Sequence, residues 1–285
     1  RFQKFNLANF ILMLVSLLSF DMTTTAINNY IDYKRAKKKS GYGFEVHNAI
    51  VRDNIKQHEA VAVILILGTT AVVAGIMLFL NTNIIVLLLG VASFAVGVMY
   101  TAGPVPISRT PLGEVFSGFF MGFLIPFLSY YIHVIDEQVL SVSMQNGIID
   151  LKINLYEIIA VFICSVPAIT GIANIMLANN ICDIEDDLEN DRFTLPVYIG
   201  KKKALAVFKA LYYLSYVVLL ISIIAGVLPV ITLLFFATLI PVQKNINSFS
   251  KLQTKKDTFS LSVKNFAVMN ISLILSFTIG IIVGI

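Results

Sequence analysis

The chain has 285 residues, 57% of them hydrophobic and only 13% charged, with a formal net charge of +4. That apolar share exceeds the roughly 45–50% usual for soluble globular domains. Together with a mean hydropathy of +0.84 it excludes a water-soluble fold, a disordered chain and a secreted disulfide scaffold, and leaves an integral membrane protein.

A spanning helix needs about 20 predominantly apolar residues. Eight stretches meet that need: Phe5–Ile27, Val61–Leu80, Ile84–Tyr100, Leu112–Ile132, Ile153–Ala178, Ala204–Ile224, Leu228–Val242 and Val263–Ile285. Long apolar runs without period-two alternation predict helices rather than barrel strands. The expected fold is therefore an all-α, polytopic transmembrane helical bundle. With no internal repeat and no low-complexity linker, residues 1–285 read as a single domain. The chain opens on Arg1 and enters a span almost at once, in an apolar run too long for a signal peptide. Either the start is missing from the sequence or a processed end is shown.

Charge decides orientation, because basic loops stay cytoplasmic. The loops after the first, third, fifth and seventh spans carry Lys34, Arg35, Lys37, Lys38, Lys39, Arg52, Lys56, Arg109, Arg192, Lys201, Lys202, Lys203, Lys244, Lys251, Lys255 and Lys256, while the other side holds Arg1, Lys4 and Lys152. The odd-numbered loops are expected in the cytoplasm, and the positive balance reflects this bias rather than nucleic-acid binding. Cys164 and Cys182 are separated by about 27 Å of helix, too far to pair, and no His or second Cys lies at zinc-ligand spacing.

Two segments on the cytoplasmic side carry polar patterns. After the first span, Asp21, Thr25, Asn28 and Asp32 recur at steps of three and four and share one face of a helix. Such a stripe faces a cavity or a partner, since a carboxylate in lipid costs several kcal/mol, or it is simply a helix end turning polar at the interface. After the fifth span, Asn179-Asn180-Ile-Cys-Asp183-Ile-Glu185-Asp186-Asp187-Leu-Glu189-Asn190-Asp191-Arg192 packs six carboxylates into nine residues. They repel one another unless cations neutralise them. Asp183 and Asp187, four apart, project from one helical face. Hard oxygen ligands of this kind suit Mg²⁺ held by one or two carboxylates plus substrate phosphates; a solvated acidic loop is the alternative, and an EF-hand lacks its central Gly here. Both motifs follow spans on the same expected side, and Lys34, Arg35, Arg52, Lys56 and Arg192 are available for phosphate oxygens. Two metal-binding edges with cationic support describe a diphosphate site, and membrane helices around it describe a lipid tunnel, which together suit prenyl transfer.

These segments resemble the UbiA superfamily of intramembrane prenyltransferases, and within it the 1,4-dihydroxy-2-naphthoate polyprenyltransferases of menaquinone synthesis. Asn28-Asn-Tyr-Ile-Asp32-Tyr-Lys-Arg is similar to the first family motif, and Ala49-Ile-Val-Arg52-Asp to the segment that follows it. Tyr100-Thr-Ala-Gly103-Pro-Val-Pro106, Pro111-Leu-Gly-Glu114 and Ser117-Gly-Phe-Phe-Met-Gly122 resemble the central signature. Asn179-Asn-Ile-Cys-Asp183-Ile-Glu-Asp-Asp187, with Arg192-Phe-Thr194-Leu and Gly200, resembles the second aspartate motif. The resemblance implies Mg²⁺ on Asn28, Asp32, Asp183 and Asp187, with Asn180 as a further catalytic residue. It also implies diphosphate contacts from Lys34, Arg52, Tyr100, Arg109 and Arg192. The implied reaction joins a polyprenyl group from its diphosphate to 1,4-dihydroxy-2-naphthoate with loss of CO₂, giving demethylmenaquinol. Membrane lipid is the expected surrounding and the cell membrane the expected location.

Departures stand at Asn29, Cys182 and Asp191, where the family usually has an acidic residue, an Arg and a Gly, and at Ala36, its third acidic position. The first metal edge is thus expected to rest on Asn28 and Asp32. The family has nine spans against eight here, so its first span is the expected missing one. His47, His58 and His133 read as interfacial residues rather than general bases, and Gly118 with Gly122 as a close helix contact. The rival acceptors are 4-hydroxybenzoate, haem or a chlorophyll precursor, whose enzymes tend to carry an Arg-Pro pair where this chain has Arg52-Asp53. A transporter or a non-catalytic membrane scaffold is the rival from another class, but acidic groups at one interface rather than at the midplane favour an enzyme.

Overall fold

The computed structural model describes residues 2–35 and 48–284. Arg1, Ala36, Lys37, Lys38, Lys39, His47 and Ile285, used in the readings above, lie outside the described residues. Among the described residues eight helices are long and apolar enough to cross a membrane, in the number and order expected. The chain divides into two compact units, Arg1–Ile107 with Leu128–Leu155, and Ser108–Phe127 with Tyr156–Ile285.

The first unit is built on α1 (Leu7–Arg35), the short α2 (Ala49–Arg52), α3 (Gln57–Leu80) and α4 (Ile84–Thr101). Asparagines start three of them. Asn6 accepts from the Asn9 amide at 3.0 Å, Asn48 caps α2 and Asn83 caps α4, each side chain taking a backbone N–H that has no partner within the first turn. α1 corrects one expectation. The span does not end near Ile27 but continues unbroken to Arg35, which keeps Asp21, Thr25, Asn28 and Asp32 on one helix as their spacing predicted. Nothing in this stretch forces a stop, because it contains neither Gly nor Pro. Within the apolar part, Ser16 donates to the Ala71 carbonyl at 2.9 Å, tying α1 to α3, and Phe20 stacks on Phe94 with centroids 4.0 Å apart.

The first unit also contains strands that the sequence reading did not anticipate. β1 (Leu140–Gln145) and β2 (Ile148–Ile153) pair antiparallel, with Leu140 opposite Ile153 and Gln145 opposite Ile148. The Asn146-Gly147 turn has φ of 50° and 79°, the left-handed pair that a two-residue hairpin loop requires.

The second unit begins with α5 (Gly113–Phe119), which runs through a π-helical turn at Phe120–Leu124 into α6 (Ile125–Tyr131), the last residues belonging to the first unit. α7 (Leu155–Cys182), α8 (Ile184–Glu189), α9 (Leu195–Ile199) and α10 (Lys201–Ile224) follow. A 3-10 segment (Val230–Thr238) then leads into α11 (Leu239–Lys251), and α12 (Ser260–Val283) closes the chain. Tyr212, Phe208, Phe235, Phe249, Leu177 and Met269 fill its core. Polar pairs cross between the helices: Thr170 with Ser215 at 2.5 Å, Asn174 to the Phe208 carbonyl at 3.1 Å, Tyr216 with Thr238 at 2.8 Å and Asn245 to Asn265 at 2.7 Å. Cys164 and Cys182 are both free thiols on α7, Cys182 being its last residue rather than part of a loop.

Gly118 and Gly122 form the close contact their spacing suggested. A Cβ on Gly118 would sit 2.9 Å from the Ile169 carbonyl oxygen, and one on Gly122 would enter the backbone of Ala168 and Ile169. Gly122→Ala should therefore destabilise by about 1–3 kcal/mol through overpacking. Gly90→Ala, where a Cβ meets nothing within 4 Å, should be neutral or stabilising because Ala is the better helix former. Thermal unfolding of both variants in detergent checks this, and equal melting temperatures would contradict it.

Candidate active site

In the first unit the residues singled out lie at the polar end of α1 and in the segments packed beside it. Asn28 and Asp32 are one turn apart, and the Asn28 Nδ2 donates to Asp32 Oδ2 at 3.1 Å. Lys34 donates to Gln57 Oε1 at 2.7 Å and lies 5.7 Å from the centre of the Tyr30 ring. Tyr100 stands near the end of α4.

Asn29, where the resemblance leads one to expect a carboxylate, has a structural task here. Its Oδ1 accepts from the Ala49 amide at 3.2 Å, and its backbone carbonyl accepts from Asn48 Nδ2 at 2.8 Å, which docks α2 against α1. An aspartate could accept in the same way but would lose the bond that the Asn29 amide donates to the Thr25 carbonyl at 3.0 Å. Arg52, at the end of α2, forms a forked pair with Asp53 at 2.9 and 2.7 Å. The pairing holds the Asp53 carboxyl below the usual carboxylate range and raises the Arg52 guanidinium.

The second unit holds the denser constellation. α7 ends at Cys182, Asp183 forms the junction, and α8 carries Asp187 one turn on, its amide bonded to the Asp183 carbonyl at 2.7 Å. The turn aligns the two carboxylates as the spacing predicted. Asp187 is 2% exposed and Asp183 9%, so neither is a solvated loop acid. Lys255 reaches Asp183 Oδ2 at 2.5 Å. Asp187 accepts from the Thr194 hydroxyl at 3.0 Å, and Arg192 Nε lies 3.3 Å from its other oxygen as an ion pair outside hydrogen-bond geometry. Burial pushes the Asp187 carboxyl above the usual range, a rise that Arg192 and Thr194 oppose. Arg109 is brought beside this segment through its carbonyl, which accepts from the Phe193 amide at 3.0 Å.

Asn180 is fully buried on α7 and donates Nδ2 to Glu114 Oε1 at 2.9 Å. Glu114 is itself 4% exposed. In the sequence, Glu114 and Thr194 stand inside motifs without an assigned role, and Lys255 stands out only as a positive-inside charge. A carboxylate at the start of an apolar span was the available signal for Glu114. Nothing local marked Lys255, which lies 72 residues from Asp183.

The donor set fits a hard divalent cation. Side-chain oxygens of Asp183 and Asp187 stand one turn apart in one unit, those of Asn28 and Asp32 in the other, and the Lys255 ammonium already shows the Asp183 carboxylate engaging a cation. Among the described residues no group of three or more His, Cys, Asp or Glu gathers at metal-binding distance. The fit therefore concerns one carboxylate pair and one amide–carboxylate pair completed by phosphate or water oxygens, not an all-protein cage.

Thr194→Val removes the hydroxyl that Asp187 uses while keeping the side-chain shape. It should cost about 1.5–3 kcal/mol, the range for a hydrogen bond to a charged group, while Thr194→Ser should retain most of the stability. Thermal unfolding in detergent tests this, and indistinguishable Val and Ser variants would show that the bond contributes little.

The model of the UbiA prenyltransferase family matches residues 2–274. The chain is 30% identical over 241 residues to the 1,4-dihydroxy-2-naphthoate octaprenyltransferase of Bacillus subtilis (strain 168), covering 84% of this chain and 71% of that protein. Among solved structures, a UbiA homolog from Aeropyrum pernix K1 superposes with a TM-score of 0.68 at 19% identity, over 96% of this chain and 91% of the other. A UbiA homolog from Archaeoglobus fulgidus, bound to GPP and Mg²⁺, does so with 0.62 at 15% identity, over 96% and 88%. The last two likenesses concern the fold, whereas the family match reaches nearly from end to end: the chain belongs to the UbiA prenyltransferase family and is a multi-pass membrane prenyltransferase.

Proposed function

We propose that this enzyme transfers a polyprenyl group from polyprenyl diphosphate to 1,4-dihydroxy-2-naphthoate, in the menaquinone route, with Mg²⁺ as cofactor. The observation that carries the reading is the aligned, buried pair Asp183 and Asp187, which present carboxylate oxygens at the end of a spanning helix. Support for the naphthoate acceptor comes from the 30% identity to the Bacillus subtilis enzyme of that name, and from Arg52-Asp53 in place of the Arg-Pro pair expected for other acceptors. Support for magnesium comes from the donor set and from the Archaeoglobus fulgidus homolog bound to GPP and Mg²⁺. Because the family match spans both units, residues 1–285 are read as one functional domain.

In this reading Asn28, Asp32, Asp183 and Asp187 hold the metal, and Asn180 positions the second motif. Lys34, Arg52, Tyr100, Arg109 and Arg192 donate to diphosphate oxygens. Bound Mg²⁺ supplies charge neutralisation at the leaving diphosphate. The cationic side chains act in the same direction, stabilising oxygens as negative charge develops during cleavage of the allylic C–O bond. The carboxylate-bearing carbon of the naphthoate ring attacks the prenyl carbon. The bond to the carboxylate then breaks, its electron pair restores the aromatic ring, and CO₂ and diphosphate leave. No proton has to be removed from the ring, so the scheme assigns no residue as a base.

Purified protein in detergent, given a polyprenyl diphosphate with either naphthoate or 4-hydroxybenzoate, should form product only with naphthoate and only without EDTA. Asp183→Ala or Asp187→Ala should abolish most turnover. Product from 4-hydroxybenzoate alone would move the assignment to another acceptor, and turnover unaffected by EDTA would remove the metal. If both aspartate motifs serve one reaction, kcat/KM losses for Asp32→Ala and Asp187→Ala should be strongly non-additive in the double variant. Additive losses would separate them.

The proposed location is the cell membrane, with residues 28–58 and 179–203 cytoplasmic. In a cysteine-free background, Ser143→Cys should react with an impermeant maleimide from outside intact cells. Protection there reverses the orientation.

A further inference from the structure

The hairpin Leu140–Ile153 has a two-faced surface that prenyl transfer does not use. In an antiparallel pair, residues directly opposite each other share a face, and the faces alternate along the strand. The register therefore places Leu140, Val142 and Met144 of β1 with Ile153, Leu151 and Ile149 of β2 on one side. All six are apolar. The other side carries Ser141, Ser143, Asp150 and Lys152, with Ile148 beside the turn. Among the described residues nothing covers the apolar face: Met144 is 70% exposed, Ile149 67% and Leu151 58%.

The base of the hairpin is fixed where spanning helices end. Tyr131, the last residue of α6, donates its hydroxyl to the Leu140 carbonyl at 2.6 Å, and Asn83, the cap of α4, donates to the Tyr131 oxygen at 2.8 Å. The Asn154 amide bonds the Val139 carbonyl at 2.9 Å, and only Asn154 separates β2 from Leu155, the first residue of α7. The ends of three helices of spanning length thus lie at the base of the strands. From there the hairpin reaches about 20 Å, six residues at about 3.4 Å each.

We infer that the apolar face of this hairpin lies on the bilayer, seated in the headgroup and upper acyl region beside the spans, while its polar face meets water. The position at the helix ends supplies the occupant, because lipid is the phase those ends enter. Size argues against a second copy of the chain. Six side chains on two short strands offer a face smaller than the roughly 800 Å² per partner of a stable protein interface. A two-stranded hairpin is also marginal in water unless its apolar side is covered, and the bilayer surface covers it.

The chain contains no Trp, so one introduced indole reports its own surroundings. Met144→Trp and, as a second apolar-face position, Leu151→Trp should lose fluorescence in vesicles of phosphatidylcholine brominated on the upper acyl chain, relative to unbrominated vesicles. Both should emit at shorter wavelength than Ser143→Trp on the polar face. Ser143→Trp should instead be quenched by aqueous iodide and be indifferent to bromine. Iodide quenching of Met144→Trp and Leu151→Trp as strong as that of Ser143→Trp would overturn the inference, leaving the face in water. Shielding of both from iodide and bromine alike would overturn it in favour of a protein partner. Bromine quenching of all three positions would overturn the two-faced seating.

Discussion

Hydrocarbon offers no hydrogen bond, so every polar group carried into the membrane has to bring its partner with it. The helices settle this for the backbone. Hydroxyls inside the spans return to their own helix, as Ser93 does to the Leu89 carbonyl and Thr170 to that of Val166. Where a polar side chain reaches another helix it also sets register. Ser16 on the Ala71 carbonyl fixes α1 along α3, and Asn174 on the Phe208 carbonyl fixes α7 along α10. Such bonds matter most here because apolar contact between helices competes with equally apolar lipid.

The same constraint governs the acidic residues. A chain with 13% charged residues cannot scatter carboxylates through its spans, and it gathers them where a helix leaves the apolar phase. Asp183 and Asp187 are nevertheless buried, and their mutual repulsion is offset by Lys255, Arg192 and Thr194. Under the proposed function, prenyl transfer from a diphosphate needs cation-binding oxygens beside cationic donors, and the same residues make a buried acidic turn tolerable, so that stability and chemistry would draw on the same contacts in the second unit.

Small residues complete the arrangement. At Gly118 and Gly122 the helix carrying Glu114 comes against the backbone of α7 around Ile169, a separation that any Cβ would forbid. That closeness lets the Asn180 amide meet Glu114 at 2.9 Å. The packing of two glycines thus sets the position of a buried polar pair, although neither glycine carries chemistry.

Much was legible from the chain alone. Eight spans follow from hydropathy because lipid selects strongly for apolar length, and the alignment of Asp183 with Asp187 follows from a spacing of four that any helix converts into one face. The Asn146-Gly147 signal was equally available, but the strands beside it are short and lie outside the spans, where hydropathy says little. Other features depend on pairings distant in sequence. Lys255 on Asp183, Glu114 on Asn180 and Asn29 on Ala49 join residues 72, 66 and 20 positions apart. Local pattern could not reveal them, because each exists only where the packed chain brings two polar groups within hydrogen-bond reach. The helix through Asp32 was legible in the steps of three and four although polarity rises at Asn28, and the docking of α2 on Asn29 is what tertiary structure added there.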